Sequence, residues 1–368
     1  QEYAQINFGP KLTGSEADLK AQLAEQIEQA VKVRLVSDVP FGAFLSGGTD
    51  SSVVCALMAR NLSQPLKTFT IGFNEREFNE MPDAARVAQH IGADHHELVV
   101  SPDAVTLTQQ LSWFFDEPFG DSSSIPTFVV ARLASEHVKM VLSGDGGDEL
   151  FAGYDRYQRY RQLARLNERS FGMAGPLLDG ASRVLSKRHA SRLARIAARL
   201  GQSYPDQYLS GVALSNADDL QLLFGTQAGS HGTYESLRGF FGRDDIAEPM
   251  EKILYGDMRS YLVDDILVKV DRATMANSLE ARAPLLDQDL IAFAARLPFD
   301  LKLRGNTGKY LLKQIANDLL PADVLNKPKQ GFAIPLDQWF RGELKPLLLD
   351  TLSSSAFRAR GLFNLAGI

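Results

Sequence analysis

A short apolar run, Phe41–Leu45, ends on Ser46-Gly47-Gly48-Thr49-Asp50-Ser51-Ser52, and a helical pattern, apolar nearly all round, then runs from Ser52 to Arg60. Two adjacent glycines at a strand end let the backbone turn sharply and approach a ligand closely. The hydroxyls of Ser46, Ser51 and Ser52 add donors, and the helix start adds free N–H groups and the positive end of its dipole. Together they make a cradle for an anion such as phosphate or pyrophosphate. A carboxylate inside that cradle repels an anion, so Asp50 makes chemical sense when Mg2+ stands between it and the phosphates. A plain strand-to-helix turn would need the glycines but neither the acid nor the serines. The loop is not a Walker A motif, because no lysine follows the glycines and Gly305–Lys309 has the wrong spacing.

Around this junction, short apolar runs alternate with helical patterns. Lys67–Phe73, His95–Val100 and Lys139–Leu142 are expected strands. Pro82–Ile91, followed by Gly92, and Phe128–His137 are expected helices. This alternation predicts an α/β fold, a parallel sheet with helices on both faces. Ahead of it, Ser15 and Asp18 form a capping-box pattern before a helix with Leu19, Leu23, Ile27, Val31 and Leu35 on one stripe. Residues 1–15 are polar, contain Gly and Pro, and are expected to be a linker remnant. From Tyr154 onward helical patterns dominate. The expected organisation is therefore one unit over 16–368, with an α/β nucleotide-binding half at 16–153 and a mainly helical half at 154–368.

A second string follows the fourth expected strand: Ser143-Gly144-Asp145-Gly146-Gly147-Asp148-Glu149-Leu150-Phe151-Ala152-Gly153-Tyr154. Its acids again stand at the carboxyl end of a strand, where open α/β sheets bind ligands. Asp148 can supply a second carboxylate to a Mg2+ held by Asp50, and Asp145 can act as acid or base. It is not a dinucleotide fingerprint, because Glu149 stands where the last glycine should be. The single cysteine, Cys55, excludes intrachain disulfides and multi-cysteine metal sites, which suits a reducing cytoplasm. No run of 18 apolar residues exists, so no membrane span is expected. Arginines at 156, 159, 161, 165 and 169, and again from 183 to 199, make a basic stretch. It is expected to be a solvated helical face: nucleic acid would want aromatic interleaving beyond Tyr154, Tyr157 and Tyr160, and the chain carries a net charge of −6. His95-His96 is not a zinc motif.

The first string resembles the SGGxDS signature of the PP-loop ATP pyrophosphatases, which adenylate a substrate and release pyrophosphate. With the second string, and with Thr68-Phe69-Thr70-Ile71-Gly72-Phe73 between them, the chain is similar to the synthetase domain of the glutamine-dependent asparagine synthetase family (class B type). The string from Asp264 through Lys269, Asp271, Arg272, Met275, Glu280 and Arg282 to Asp287 continues the likeness, as do Lys309 and Lys329. The likeness implies an adenine nucleotide alpha-hydrolase-like fold with ATP and Mg2+ as cofactors. It places ATP on Leu45, Ser46, Gly47, Gly48, Asp50, Ser51, Ser52, Ile71, Ser143, Gly144 and Lys309, and the metal on Asp50 and Asp148. Asp145, Lys329 and Arg272 are the implied catalytic residues, Asp145 for the proton and the two cations for developing charge. Glu280, Arg282 and Asp287 are expected in salt bridges instead.

The implied reaction is ATP-dependent amide synthesis: a carboxylate, that of the aspartate side chain, is adenylated and then attacked by ammonia, giving asparagine, AMP and pyrophosphate. An intramolecular amide-forming relative of the β-lactam synthetase or lasso-peptide cyclase type, a tRNA-modifying PP-loop enzyme and a non-catalytic nucleotide-binding module are the alternatives. Asp145 and Gly147 stand where many members have Glu and Ser, Thr49 where Leu is usual, and no arginine occurs in 116–124, where some members contact substrate. That leaves the amino-acid substrate open. Gln1 in place of Met, and no N-terminal cysteine nucleophile, lead to the expectation of a glutaminase domain in the full-length protein, and of free ammonia as the co-substrate of this chain. A homodimer is left open.

Overall fold

A computed structural model describes residues 5–73, 79–100, 104–169, 200, 202–213, 215, 217–225, 235–321, 334 and 336–368. Helix α1 (Glu16–Arg34) starts on the Ser15–Asp18 capping box and buries Leu19, Leu23, Ile27, Ala30 and Val31. The chain then alternates β1 (Phe41–Phe44), α2 (Thr49–Arg60), β2 (Lys67–Phe73), α3 (Met81–Ile91), β3 (Asp94–Val100), α4 (Ala104–Phe115), α5 (Ser124–Ser135) and β4 (Met140–Leu142). A short α6 (Gly147–Phe151) and α7 (Asp155–Arg169) follow. Much later, β5 (Glu280–Arg282) closes the sheet.

Within this five-stranded sheet every strand pair is parallel, and the order is β3-β2-β1-β4-β5. The chain builds outward from β1 in one direction, then crosses back to lay β4 on its other side. The carboxyl ends of β1 and β4 thus flank the topological switch point, where open sheets leave a crevice. Side chains alternate across the sheet, as the period of a strand requires. Met140 and Leu142 enter one apolar layer, shared with α1, α2 and Leu311. Val141 enters the other, shared with α5 and Leu279.

The structure moves several expected boundaries. Helix α2 begins at Thr49, not Ser52, so Asp50 and Ser51 lie in its first turn. Helix α5 begins at Ser124; Pro126 falls in its first turn, where a missing N–H is tolerated. β5 was not legible as a strand because it is three residues long and carries two charges. It is set by main-chain bonds, Glu280 N–H to Lys139 O at 3.0 Å and Ser143 N–H to Arg282 O at 2.9 Å. The α/β sheet therefore draws its last strand from beyond the 153/154 division, and the apolar layer around Leu23 also holds Leu285 and Leu312. No helix among the described residues is long and apolar enough to cross a membrane.

Two further corrections concern charge. The described part of the expected linker is anchored to the fold: Phe8 is 2% exposed, edge-on to Tyr255. Lys11 reaches the buried Glu251 at 2.5 Å, and Lys302, itself buried, approaches the same carboxylate at 3.4 Å. The basic stretch is only partly a solvated face. Arg156 turns inward to Asp257 at 2.8 Å and lies over Tyr154 and Tyr261, and Arg161 binds Asp300 and the Leu303 carbonyl. Arg159, Arg165 and Arg169 are exposed. Arg183–Arg199 lies outside the described residues.

Burial pulls the Lys302 ammonium down to about 8 from an unfolded value of 10.5, against the pull of Glu251. A lysine with a lowered folded pKa binds more protons unfolded than folded between those values, so its contribution rises with pH across about 8 to 10.5 and is least favourable below about 8. Denaturant titrations of the wild type and Lys302→Met at pH 7 and pH 10 are expected to show the wild type gaining on the variant by up to a few kcal/mol at the higher pH. A gain in the opposite direction would refute the assignment.

Candidate nucleotide and metal site

The loop after β1 is fixed from below. Leu45 donates its N–H to Phe69 O at 3.0 Å, and the Thr70 hydroxyl donates to the Leu45 carbonyl. Gly47 has φ +74, and a Cβ there would stand 2.7 Å from Asp83 Cβ and 2.8 Å from Ala84 N, so only glycine fits. Ser46 Oγ and Ser51 Oγ lie 3.0 Å apart, and Ser51 Oγ donates to Gly48 O at 3.2 Å. Gly48 caps α2 with no side-chain bond, which leaves the first N–H groups of the helix to the cleft.

The loop after β4 presses against this one. A Cβ on Gly144 would meet Ser51 N at 2.6 Å, and one on Gly147 would meet Asp50 Cγ at 2.5 Å. These two glycines are the space into which Asp50 fits. Lys309 arrives from the opposite side, at the start of the helix Tyr310–Leu319, with a left-handed φ of +54 and its N–H donated to Phe151 O at 2.8 Å. Its ammonium meets Asp50 Oδ2 and, at 2.7 Å, Asp148 Oδ1. Burial opposes that charge, but Asp148 and Asp50 outweigh it and hold the lysine protonated well above its usual range.

These groups line a cleft of about 820 Å³, the size of a small-molecule site. Leu45, Ser46, Gly47, Gly48, Asp50, Ser51, Ile71, Ser143, Gly144, Asp145, Asp148 and Lys309 all border it. Ser52 does not: it is fully buried beneath the loop. Arg272 is exposed, directed at the Phe114 carbonyl at 3.4 Å, and is not brought to the cleft. Lys329 lies outside the described residues. Glu280, Arg282 and Asp287 form structural contacts. Arg282 pairs with Glu280 and caps the end of α1 through the Arg34 and Val36 carbonyls, and Asp287 pairs with Arg34.

Sequence reasoning missed the cleft's other polar wall. Lys269, one turn before Arg272, is buried and donates to Asp121 Oδ2 and Ser123 Oγ, both at 2.7 Å. Asp265 stands one turn before Lys269, within a π-helical segment, Tyr261–Leu267, of the kind that recurs at functional sites. Burial and the Asp121 charge push Asp265 up to about 6. Lys269 was visible in the charged string, but which of its cations turns inward depends on how that helix packs on α5. Asp145 accepts from Ser143 Oγ at 2.6 Å, and burial raises its pKa against that bond and the Lys269 charge. Glu149, pushed up to about 7 by burial and Asp148, accepts from the Tyr154 hydroxyl at 2.5 Å. Cys55 is an inert core thiol, pushed up to about 12 by burial.

Among the described residues no cluster of three or more metal-binding side chains exists. Two carboxylates that already converge on one cation do fit Mg2+, which takes one or two carboxylates plus phosphate oxygens and water.

Two glycine-bearing loops crossing over paired acids at the switch point of a parallel sheet define an α/β protein with its cleft where open sheets bind ligands. The asparagine synthase family profile matches residues 22–368. The chain is 33% identical to asparagine synthetase [glutamine-hydrolyzing] 1 of Bacillus subtilis (strain 168), over 96% of this chain and 55% of that protein. It is 36% identical to a putative asparagine synthetase [glutamine-hydrolyzing] of Mycobacterium tuberculosis (strain ATCC 25618 / H37Rv), over 94% and 53%. It is 26% identical to amidase chyE of Penicillium rubens, over 93% and 56%. The chain belongs to the asparagine synthase family. It spans about half the length of the curated relatives it matches.

A Cβ on Gly153 would lie 2.0 Å from Asp148 Oδ1, 2.1 Å from Lys309 Cε and 3.0 Å from Asp148 Cα. One on Gly308 would lie 2.3 Å from the Ala152 carbonyl, which is backbone. Gly153→Ala, which pushes Asp148 and Lys309 from their places, is therefore expected to lose about tenfold or more in magnesium–ATP affinity by calorimetry, and Gly308→Ala to lose about 1–3 kcal/mol of stability. Unchanged affinity in Gly153→Ala would contradict the arrangement.

Proposed function

We propose that this chain is the ATP-using part of an asparagine synthetase. It adenylates the side-chain carboxylate of aspartate, releases pyrophosphate, and passes the activated carbonyl to ammonia to give asparagine and AMP. The observation that carries this reading is the convergence of Asp50, Asp148 and Lys309 where the two loops cross, directly beside the open N–H groups of α2.

The adenine lies against Leu45 and Ile71, and the phosphates lie over Ser46 to Ser51, where backbone donors and hydroxyls replace their water. Asp50 and Asp148 would hold magnesium, whose charge would screen the phosphates from the incoming carboxylate and favour departure of pyrophosphate. A carboxylate is a poor electrophile because its charge repels nucleophiles, and adenylation removes that charge. Lys269, held by Asp121 and Ser123, is the cation on the far wall of the cleft and receives a substrate carboxylate. Asp145, a buried carboxyl beside Ser143, takes the proton released when ammonia attacks the carbonyl. Lys329 enters on the family likeness alone, as a charge facing the reacting carbonyl. In place of Arg272, this reading gives the helix's contribution to Lys269. Ammonia comes from glutamine through a part of the protein outside these 368 residues, and the chain by itself uses ammonium.

The test is AMP release and ATP–pyrophosphate exchange with aspartate and other amino acids, with mass spectrometry of the product. Aspartate plus ammonium is expected to give asparagine, glutamine to substitute poorly, and Asp50→Asn to abolish exchange. Lys269→Met is expected to raise the aspartate KM at least about tenfold with little change in the ATP KM, the loss of one charge-assisted contact. Exchange that survives Asp50→Asn, or that needs no carboxylic acid, would sink the reading.

A further inference from the structure

The crossing point of the two loops carries a cation of the protein's own. The Lys309 ammonium is in hydrogen-bond contact with Asp50 Oδ2 and 2.7 Å from Asp148 Oδ1. A Mg2+ ligated by both carboxylates at about 2.1 Å would need the volume that this nitrogen fills. The placement is built in. The lysine backbone is held in the left-handed region by its own N–H to Phe151 O, and its carbonyl accepts from Lys313 N–H at 2.8 Å. Its stem runs over Gly153, where any side chain would collide with it, and Gly147 leaves the room that Asp50 needs.

We propose that Lys309 is a tethered counter-ion occupying the metal position of the nucleotide-free protein, so that divalent metal enters together with the nucleoside triphosphate and not before it. This rests on reading the cleft as a magnesium–ATP site. The two carboxylates and the ammonium sum to −2 + 1 = −1, so the pair is already partly neutralised before any ligand arrives. An ammonium on the same chain also competes at the high effective concentration of an intramolecular group. Free metal would have to expel it toward Lys313, another cation bordering the same cleft and close enough for the two charges to oppose each other. A triphosphate changes this balance, because its oxygens give both the metal and the displaced ammonium a partner. Lysine suits such a place-holder better than arginine, being a compact charge on a flexible stem that can swing.

The test uses Mn2+ as the probe, followed by its paramagnetic resonance, on the full chain without substrates. The wild type is expected to bind free Mn2+ more weakly than about 1 mM, and much more tightly once a non-hydrolysable ATP analogue is present. Lys309→Met is expected to bind free Mn2+ at least about tenfold more tightly than wild type. In EDTA that variant leaves Asp50 and Asp148 without their cation and melts lower; Mn2+ alone is expected to restore its midpoint while leaving the wild-type midpoint unmoved. Lys309→Arg retains the charge and is expected to keep the wild-type preference. Equal binding of free Mn2+ by wild type and Lys309→Met overturns the proposal. Should Lys309→Met not fold, tight free-Mn2+ binding to wild type that Asp50→Asn removes overturns it, and weak binding there with tight binding beside the analogue supports it. A wild type that binds no ATP analogue refutes the reading of the cleft, while the nucleotide-free comparison still decides the role of the lysine.

Discussion

Two partly buried carboxylates within reach of each other repel unless a cation stands between them, and the Lys309 ammonium is that cation. Each member comes from a different part of the chain. Asp50 is on the first turn of α2, Asp148 on α6, and Lys309 at the head of a helix that packs against α2. The glycines of the second loop are spaced by this contact, since Gly144 and Gly147 give up the volume that Ser51 and Asp50 take. One charge cluster thus holds the two loops in register and the helical half against the sheet.

A second polar cluster stands behind it. Asp257, fully buried, accepts from Arg156, Tyr157 and Tyr208, so its carboxylate is compensated despite the burial that raises its pKa. Arg156 continues over the Tyr154 ring, and Tyr154 donates to Glu149, the neighbour of Asp148. α7 is thereby fastened to the helix Pro249–Arg259, and the back of the acidic loop is fastened to α7. Buried polar groups are costly to leave without partners, so such a chain fixes position more than it adds stability.

Much of this was legible in the residues. Lys67–Phe73 is a strand because seven residues between breakers, rich in β-branched and aromatic types, cannot pack otherwise, and the capping box at Ser15 sets the start of α1 from local bonds alone. The two motif loops declared the site because glycines, acids and serines at strand ends have few structural uses in common. What failed did so for one reason. Phe8 in a polar run, the inward turn of Arg156, the short charged β5 and the burial of Lys269 in place of Arg272 are all decided by partners more than 100 residues away. No local pattern carries that information.

The sequence by itself determined the chemistry available here and its ends of strands, because turn geometry, capping and apolar period are properties of neighbours along the chain. Only the tertiary structure decided that Asp50, Asp148 and Lys309 share one point and that Lys269 faces the cleft while Arg272 faces solvent. Those choices depend on strand order and on how each helix rolls against its layer. Burial and distance, which decide charge, are properties of neighbours in space.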